Sequence, residues 1–105
     1  MAKIAVDLKH AGFPQELNYR DSVYIPKTEE YISPQQLGKD IEYIRVPATV
    51  SLFSEVEDFD YTLDCFFSPK ANQRAYRLTA QEISSIIDIS LWVVMAKFWL
   101  LKKGK

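Results

Sequence analysis

The chain has 105 residues, which is enough for one domain with its own hydrophobic core. Hydrophobic residues make up 48% of the sequence and charged residues 26%, a composition that excludes an intrinsically disordered chain. The net charge of −1 provides no overall basic field that would attract nucleic acid or anionic lipid. We therefore expect a single globular domain over residues 1–105.

The cysteine content and the first residues predict where the protein is located. Cys65 is the only cysteine, so no disulfide can form within the chain. The stretch Met1–Lys9 carries too many charges for the apolar part of a signal peptide. We therefore expect a cytoplasmic protein in which Cys65 is a buried, unreactive thiol.

The first predicted element is a short helix over Ala2–Ala11. Ile4 and Leu8 share one helical face, and Gly12 supplies the left-handed residue that commonly ends a helix. A strand is the alternative prediction, because Ile4, Val6 and Leu8 also alternate. We favour the helix because the polar residues lie away from the apolar face.

Short strands and one short helix are predicted for the middle of the chain. Leu17–Ile25 predicts a strand, or a strand pair, that stops at Pro26. Pro34–Asp40 begins with a capping pattern and predicts a short helix. Glu42–Val46 and Thr49–Val56 alternate between apolar and polar residues and predict two further strands.

The clearest strand pattern covers Phe59–Phe67. Alternation along this run predicts a sheet with one face on the core and one in water. The residues assigned to the core face are Phe59, Tyr61, Leu63, Cys65 and Phe67. Arg74–Leu78 follows a polar turn and predicts the antiparallel partner strand.

The strongest pattern predicts one long helix over Thr79–Leu101. Thr79 and Glu82 fit a capping box, and no Pro or Gly follows before Gly104. The first half of this segment is amphipathic, and the second half is apolar nearly all round. The sequence therefore predicts an α+β fold: a three- to four-stranded, mostly antiparallel sheet packed against a long C-terminal helix, with a short N-terminal helix.

Large apolar side chains in the second half of this helix form the candidate interface. They are Trp92, Met95, Phe98 and Trp99. Three interpretations stay open: burial within the fold, contact with a second copy of the chain, and insertion into a membrane. Asp88 and Lys97 disfavour the membrane, since each costs on the order of 2.5–3.5 kcal/mol near the bilayer centre.

A cluster of acidic residues lies before and within the Phe59–Phe67 strand. Its members are Glu55, Glu57, Asp58, Asp60 and Asp64. A solvated strand face explains the cluster, and so does a docking surface for a basic partner. Asp60 and Asp64 could instead hold Mg²⁺ or Ca²⁺, or divide acid and base roles. Because no His and no calcium-loop pattern accompany them, we predict no metal site, no cofactor and no catalytic residue.

Cations alternate with aromatic rings along the predicted hairpin. The residues are Phe66, Phe67, Lys70, Arg74, Tyr76 and Arg77. Such a surface can bind single-stranded nucleic acid, with Lys70, Arg74 and Arg77 as the contacts. A plain hairpin is the alternative, because three cations without a basic surround bind weakly.

Two stretches resemble one group of known proteins. Leu8–Gln15 (LKHAGFPQ) and Met95–Gly104 (MAKFWLLKKG) are similar to the start and the C-terminal helix of short, uncharacterised proteins carried by phages, prophages and mobile elements. The middle departs from that group, whose helix follows a Gly- and Asp-rich turn. The resemblance implies a bacterial or mobile-element origin and carries over no functional residue.

We expect a non-enzymatic interaction or oligomerisation protein whose partner is a second copy of the chain or another protein. One alternative is a nucleic-acid-binding accessory protein that uses the Lys70–Arg77 hairpin. The other is a small acid–base or metal-dependent enzyme that uses Asp60 and Asp64. A membrane partner is not expected.

Overall fold

The computed structural model describes residues 2–104. These residues form two compact units, the first made of residues 2–48 with Lys103 and Gly104, and the second of residues 49–102. Within the described chain there are three α-helices and two three-stranded antiparallel sheets, so the predicted α+β class is confirmed. The single domain predicted over residues 1–105 stays a prediction, because two compact units can belong to one domain.

The first unit begins with a helix and contains the first sheet. Its sheet has the strand order β2-β1-β3, and both pairs are antiparallel. The elements are α1 Ala2–His10, β1 Ser22–Ile25, β2 Glu30–Ile32, a 3₁₀ turn Pro34–Gln36 and β3 Ile44–Val46. The predicted helix over Pro34–Asp40 is therefore only the 3₁₀ turn, in which the Gln36 side chain accepts the Ser33 N–H at 3.0 Å.

Helix α1 ends as the sequence predicts. Gly12 has φ +97°, a conformation that costs glycine little. The N–H of Phe13 donates to the carbonyl of Leu8 at 2.9 Å, and the N–H of Gly12 donates to that of Lys9 at 3.1 Å. This pair of hydrogen bonds is a Schellman motif, which satisfies the last carbonyls of the helix.

A buried ion pair joins two segments of the first unit. Arg45 Nε lies 2.7 Å from Asp21 Oδ2, with side-chain exposures of 7% and 0%. The carboxylate also accepts the N–H of Asn18 at 3.0 Å and of Ala48 at 2.9 Å. Arg45 Nη1 donates to the Pro14 carbonyl at 3.0 Å. Because the carboxylate accepts three hydrogen bonds and the guanidinium donates two, we interpret the pair as structural.

The second unit contains the second sheet and the last helix. Its sheet has the order β4-β5-β6, again with antiparallel pairs. The elements are α2 Thr49–Glu55, β4 Thr62–Ser68, β5 Gln73–Ala80, β6 Ile83–Asp88 and α3 Leu91–Lys103, whose last residue belongs to the first unit. The predicted hairpin of two strands is confirmed as β4 and β5, and the single predicted sheet is corrected to two.

The long helix predicted over Thr79–Leu101 is wrong in its first half. Thr79 continues β5 and pairs with Thr62, and β6 returns along β5 after a turn in which Glu82 has φ 65°. β-branched isoleucines favour the strand here. Helix α3 begins only at Leu91, where Ser90 Oγ accepts the N–H of Val93 at 3.3 Å.

The strand predicted over Thr49–Val56 is also wrong, because residues 49–55 form helix α2. Leu52 and Val56 are both 0% exposed, whereas Val50 is 50% exposed. In a strand Val50 and Leu52 would share one face, but here one is exposed and the other is buried, as expected for residues two apart in a helix.

Candidate interaction surface

The four large side chains of the candidate interface lie inside the folded chain. Trp92 is 7% exposed, Trp99 3%, and Met95 and Phe98 are 0% exposed. The Phe98 ring packs edge-on against Tyr61, with the ring centroids 5.2 Å apart, and against Phe59 at 6.2 Å. Burial within the fold is therefore the interpretation that the structure supports, and these residues offer little surface to a second copy.

The second sheet has two faces with different surroundings. Opposite residues of an antiparallel pair share a face, so Leu63, Leu78 and Ile86 lie on one side. We call this side the inner face, because Leu78 is 0% exposed. The other side, which carries Asp64, Phe66, Arg77 and Ile87, is the outer face, and Ile87 is 55% exposed.

The inner face is covered only at one end of the hairpin. Cys65 and Phe67 follow Leu63 on this face, yet Cys65 is exposed and Phe67 is 62% exposed. The prediction that both face the core is therefore wrong. Strand β4 runs past the packed region, so the alternation that indicated a core continues into solvent.

The acidic cluster is spread over three local structures. Glu55 ends α2, Glu57 and Asp58 are exposed in the turn that follows, and Asp60 is exposed just before β4. Asp60 lines an open cavity of about 490 Å³ at the end of the β4–β5 hairpin away from its turn, together with Tyr61, Thr62, Thr79, Ala80 and Gln81. Within residues 2–104, no three His, Cys, Asp or Glu side chains are grouped so that they could hold a metal ion.

Asp64, the last acidic residue, is paired. Its Oδ2 accepts a hydrogen bond from Arg77 Nη2 at 3.2 Å, with both side chains nearly half exposed. The Arg77 guanidinium also lies over the Phe66 ring, 5.3 Å from its centroid. On the outer face, Asp64 and Arg77 are therefore paired with each other.

The three predicted nucleic-acid contacts do not form one surface. Arg74 and Arg77 lie on opposite faces of β5, because side chains alternate along a strand. Arg74 Nη1 approaches Cys65 Sγ at 3.6 Å on the inner face, whereas Arg77 is on the outer face. Lys70 is exposed in the turn between β4 and β5. The structure therefore places Lys70 and Arg74 at the turn end of the hairpin and Arg77 on the opposite face.

Strands β4 and β6 form the two edges of the second sheet. Among the strands of residues 2–104, each of them pairs with β5 alone. An edge strand directs every second pair of backbone N–H and C=O groups away from its neighbour, where another strand can bind them. The sequence predicted β4 but not its position at the edge of the sheet, because that position depends on whether β6 pairs with β4 or with β5.

None of the helices in residues 2–104 combines the length and the apolar character needed to cross a bilayer. No protein-family model, no curated protein and no solved structure matches the chain. The resemblance to phage and mobile-element proteins therefore stays a prediction.

Proposed function

We propose that the chain is a non-enzymatic interaction protein that assembles with a second copy of itself through the second sheet. One observation carries this proposal: large apolar side chains of this sheet are exposed. Phe67 is 62% exposed, Ile87 55%, and Ile89, just beyond β6, 49%. Phe67 lies on the inner face and Ile87 on the outer face, so one contact covers only one of these positions in each copy. Covering such a side chain in both copies contributes roughly 1 kcal/mol for each, which supports an association.

The two alternative functions have less support. A nucleic-acid-binding hairpin needs cations on one surface, and Arg74 and Arg77 lie on opposite faces. An enzyme that uses Asp60 and Asp64 needs both carboxylates free, and Asp64 is paired with Arg77. A different protein could bind the second sheet in place of a second copy. Light scattering distinguishes the two, because only a second copy doubles the mass of the purified protein.

We also propose that the protein works in the cytoplasm. Cys65 is the only cysteine, and its thiol is exposed. An exposed single thiol persists in its reduced form in a reducing compartment, whereas oxidising compartments favour paired cysteines. The predicted bacterial or mobile-element origin agrees with this location.

The proposed function is tested by light scattering behind size exclusion, without detergent, at two protein concentrations. We expect twice the monomer mass at the higher concentration. Phe67→Thr keeps a residue that favours strands but removes the exposed ring, and it should shift the protein toward monomer.

Tyr19→Thr is the matched control, because it removes an aromatic side chain that is 72% exposed in the first unit. This variant should associate as the wild type does. A monomeric wild type at every concentration contradicts self-association and favours another protein as the partner. If Phe67→Thr and Tyr19→Thr shift the protein toward monomer to the same extent, the contact does not lie on the second sheet.

A further inference from the structure

We propose that strand β4 pairs in the antiparallel direction with β4 of a second copy, which joins the two second sheets into one continuous sheet. This inference rests on the proposed self-association and names the surface that performs it. The feature that carries it is the match between the charges at the two ends of β4.

Apart from the charge of Asp64, which is paired with Arg77, strand β4 lacks the features that usually protect an edge strand. Its sequence, TLDCFFS, contains no Pro and no Lys, the residues that most often block pairing at an edge. It has seven residues, which is long for an edge, and Cys65 and Phe67 beside the edge are exposed. A second strand can therefore approach along its length.

The ends of β4 carry opposite charges. Asp60 lies just before the strand and Lys70 just after it, and both side chains are exposed. Glu57 and Asp58 add negative charge at the same end as Asp60. When two copies of β4 pair in the antiparallel direction, the acidic end of each strand meets the basic end of the other. A second copy therefore fits this edge by charge as well as by backbone pairing.

The other edge of the sheet lacks this match. β6 lies between Glu82 and its own last residue, Asp88, and residues 81–91 contain no Lys or Arg. Two copies of β6 would therefore bring together acidic ends with no cation to balance them. The charges favour β4 over β6 as the paired edge.

The residues also select one register. When two identical strands pair in the antiparallel direction, the two-fold axis lies between one residue and its own copy, which are directly opposite each other. With the axis at Cys65, Phe67 lies opposite Leu63 of the second copy and Ser68 lies opposite Thr62. Lys70, two residues after the strand, then comes near Asp60 of the second copy, two residues before it. The exposed ring of Phe67 then gains an apolar neighbour across the interface.

The neighbouring registers are less favourable. An axis at Asp64 places the two Asp64 carboxylates opposite each other, which is destabilising. An axis at Phe66 shifts Lys70 toward Thr62 of the second copy and away from Asp60. The geometry therefore points to Cys65 as the centre of the pair.

In the register centred on Cys65, the two Cys65 residues lie close enough to form a disulfide. Directly opposite residues of an antiparallel pair have Cα atoms about 4.5–5.5 Å apart, which is within the range that a disulfide can bridge. Diamide takes up the two protons and two electrons that the thiols lose when they form the bond. We expect diamide to join two chains through Cys65 in a yield that rises with protein concentration over the range in which the dimer forms.

The charge match is tested by exchanging the charges. Lys70→Glu and Asp60→Lys each turn two symmetry-related attractions into repulsions, so each should raise the dimer dissociation constant on the order of tenfold. The double variant, Asp60→Lys with Lys70→Glu, restores opposite charges and should return the constant toward that of the wild type. Lys97→Glu, which makes the same charge change on an exposed residue of α3, should leave it unchanged.

The outcomes separate this inference from the proposed function. Recovery in the double variant supports β4 pairing and also shows that the single variants are folded. A dimer whose dissociation constant is the same in all variants, or which diamide does not cross-link, overturns pairing centred on Cys65 but leaves self-association intact. A wild type that stays monomeric at every concentration overturns both.

Discussion

Removing the Asp21 carboxylate is expected to destabilise the fold by about 3–5 kcal/mol, because it leaves a buried guanidinium without its counter-charge. In Asp21→Ala, the Arg45 side chain keeps the Pro14 carbonyl as an acceptor but loses the carboxylate. The N–H groups of Asn18 and Ala48 also lose their acceptor. A loss of this size is a large share of the roughly 5–15 kcal/mol that stabilises a typical domain.

Asp64→Ala is the matched control for this prediction. It removes the other carboxylate that is paired with an arginine, but Asp64 and Arg77 are 46% and 44% exposed. Pairs of this kind contribute about 0–1 kcal/mol, because water replaces the lost partner. The comparison therefore isolates the effect of burial from that of the ion pair itself.

Urea unfolding followed by far-ultraviolet circular dichroism measures both variants. Circular dichroism is needed because both tryptophans lie in the second unit, whereas Asp21 lies in the first. Asp21→Asn combined with Arg45→Met removes both charges and should recover part of the loss. Equal destabilisation of Asp21→Ala and Asp64→Ala would refute the reasoning.

Two further predictions concern helix α3. Ser90→Ala removes the oxygen that accepts the Val93 N–H and should lower the free energy of unfolding by about 1 kcal/mol. Ser84→Ala, at an exposed position of β6, should change it far less. Equal melting temperatures of the two variants would contradict the role of Ser90 as the helix cap. Phe98→Ala should cost about 3–5 kcal/mol in urea unfolding because the ring is 0% exposed. Leu101→Ala, at a site 62% exposed on the same helix, should cost less than about 0.5 kcal/mol, and a similar cost for both contradicts the assigned core.

The elements that local sequence determines were predictable. Gly12 gave the end of α1 because few other residues tolerate its backbone conformation. The alternation in β4 and the polar turn after it gave the hairpin, since both signals lie within one short segment. The α+β class followed from these elements and from the apolar character of the last helix.

The errors arose where one pattern fits two structures. Thr79 and Glu82 have the spacing of a helix cap, yet Thr79 lies in β5, where it pairs with Thr62 of β4. Ser90, directly before the apolar run, was the better signal for the start of α3. The split into two sheets depends on pairings between distant residues, which no local pattern contains.

The candidate site was predictable only in part. The sequence identified the acidic cluster and Lys70, but it could not show that they lie at opposite ends of an edge strand. It assigned Cys65 to the core, because alternation does not reveal where the covering layer stops. The buried partner of Arg45 was also not predicted, since Asp21 is remote from it in the chain.

Self-association through β4 is tested most directly by the reaction rate of the Cys65 thiol with a thiol reagent over a range of protein concentrations. Pairing centred on Cys65 predicts that the rate per chain falls as concentration rises, in the same range in which the mass measured by light scattering doubles. A rate that stays constant while the mass doubles contradicts this surface, because the thiol would then remain as exposed in the dimer as in the monomer.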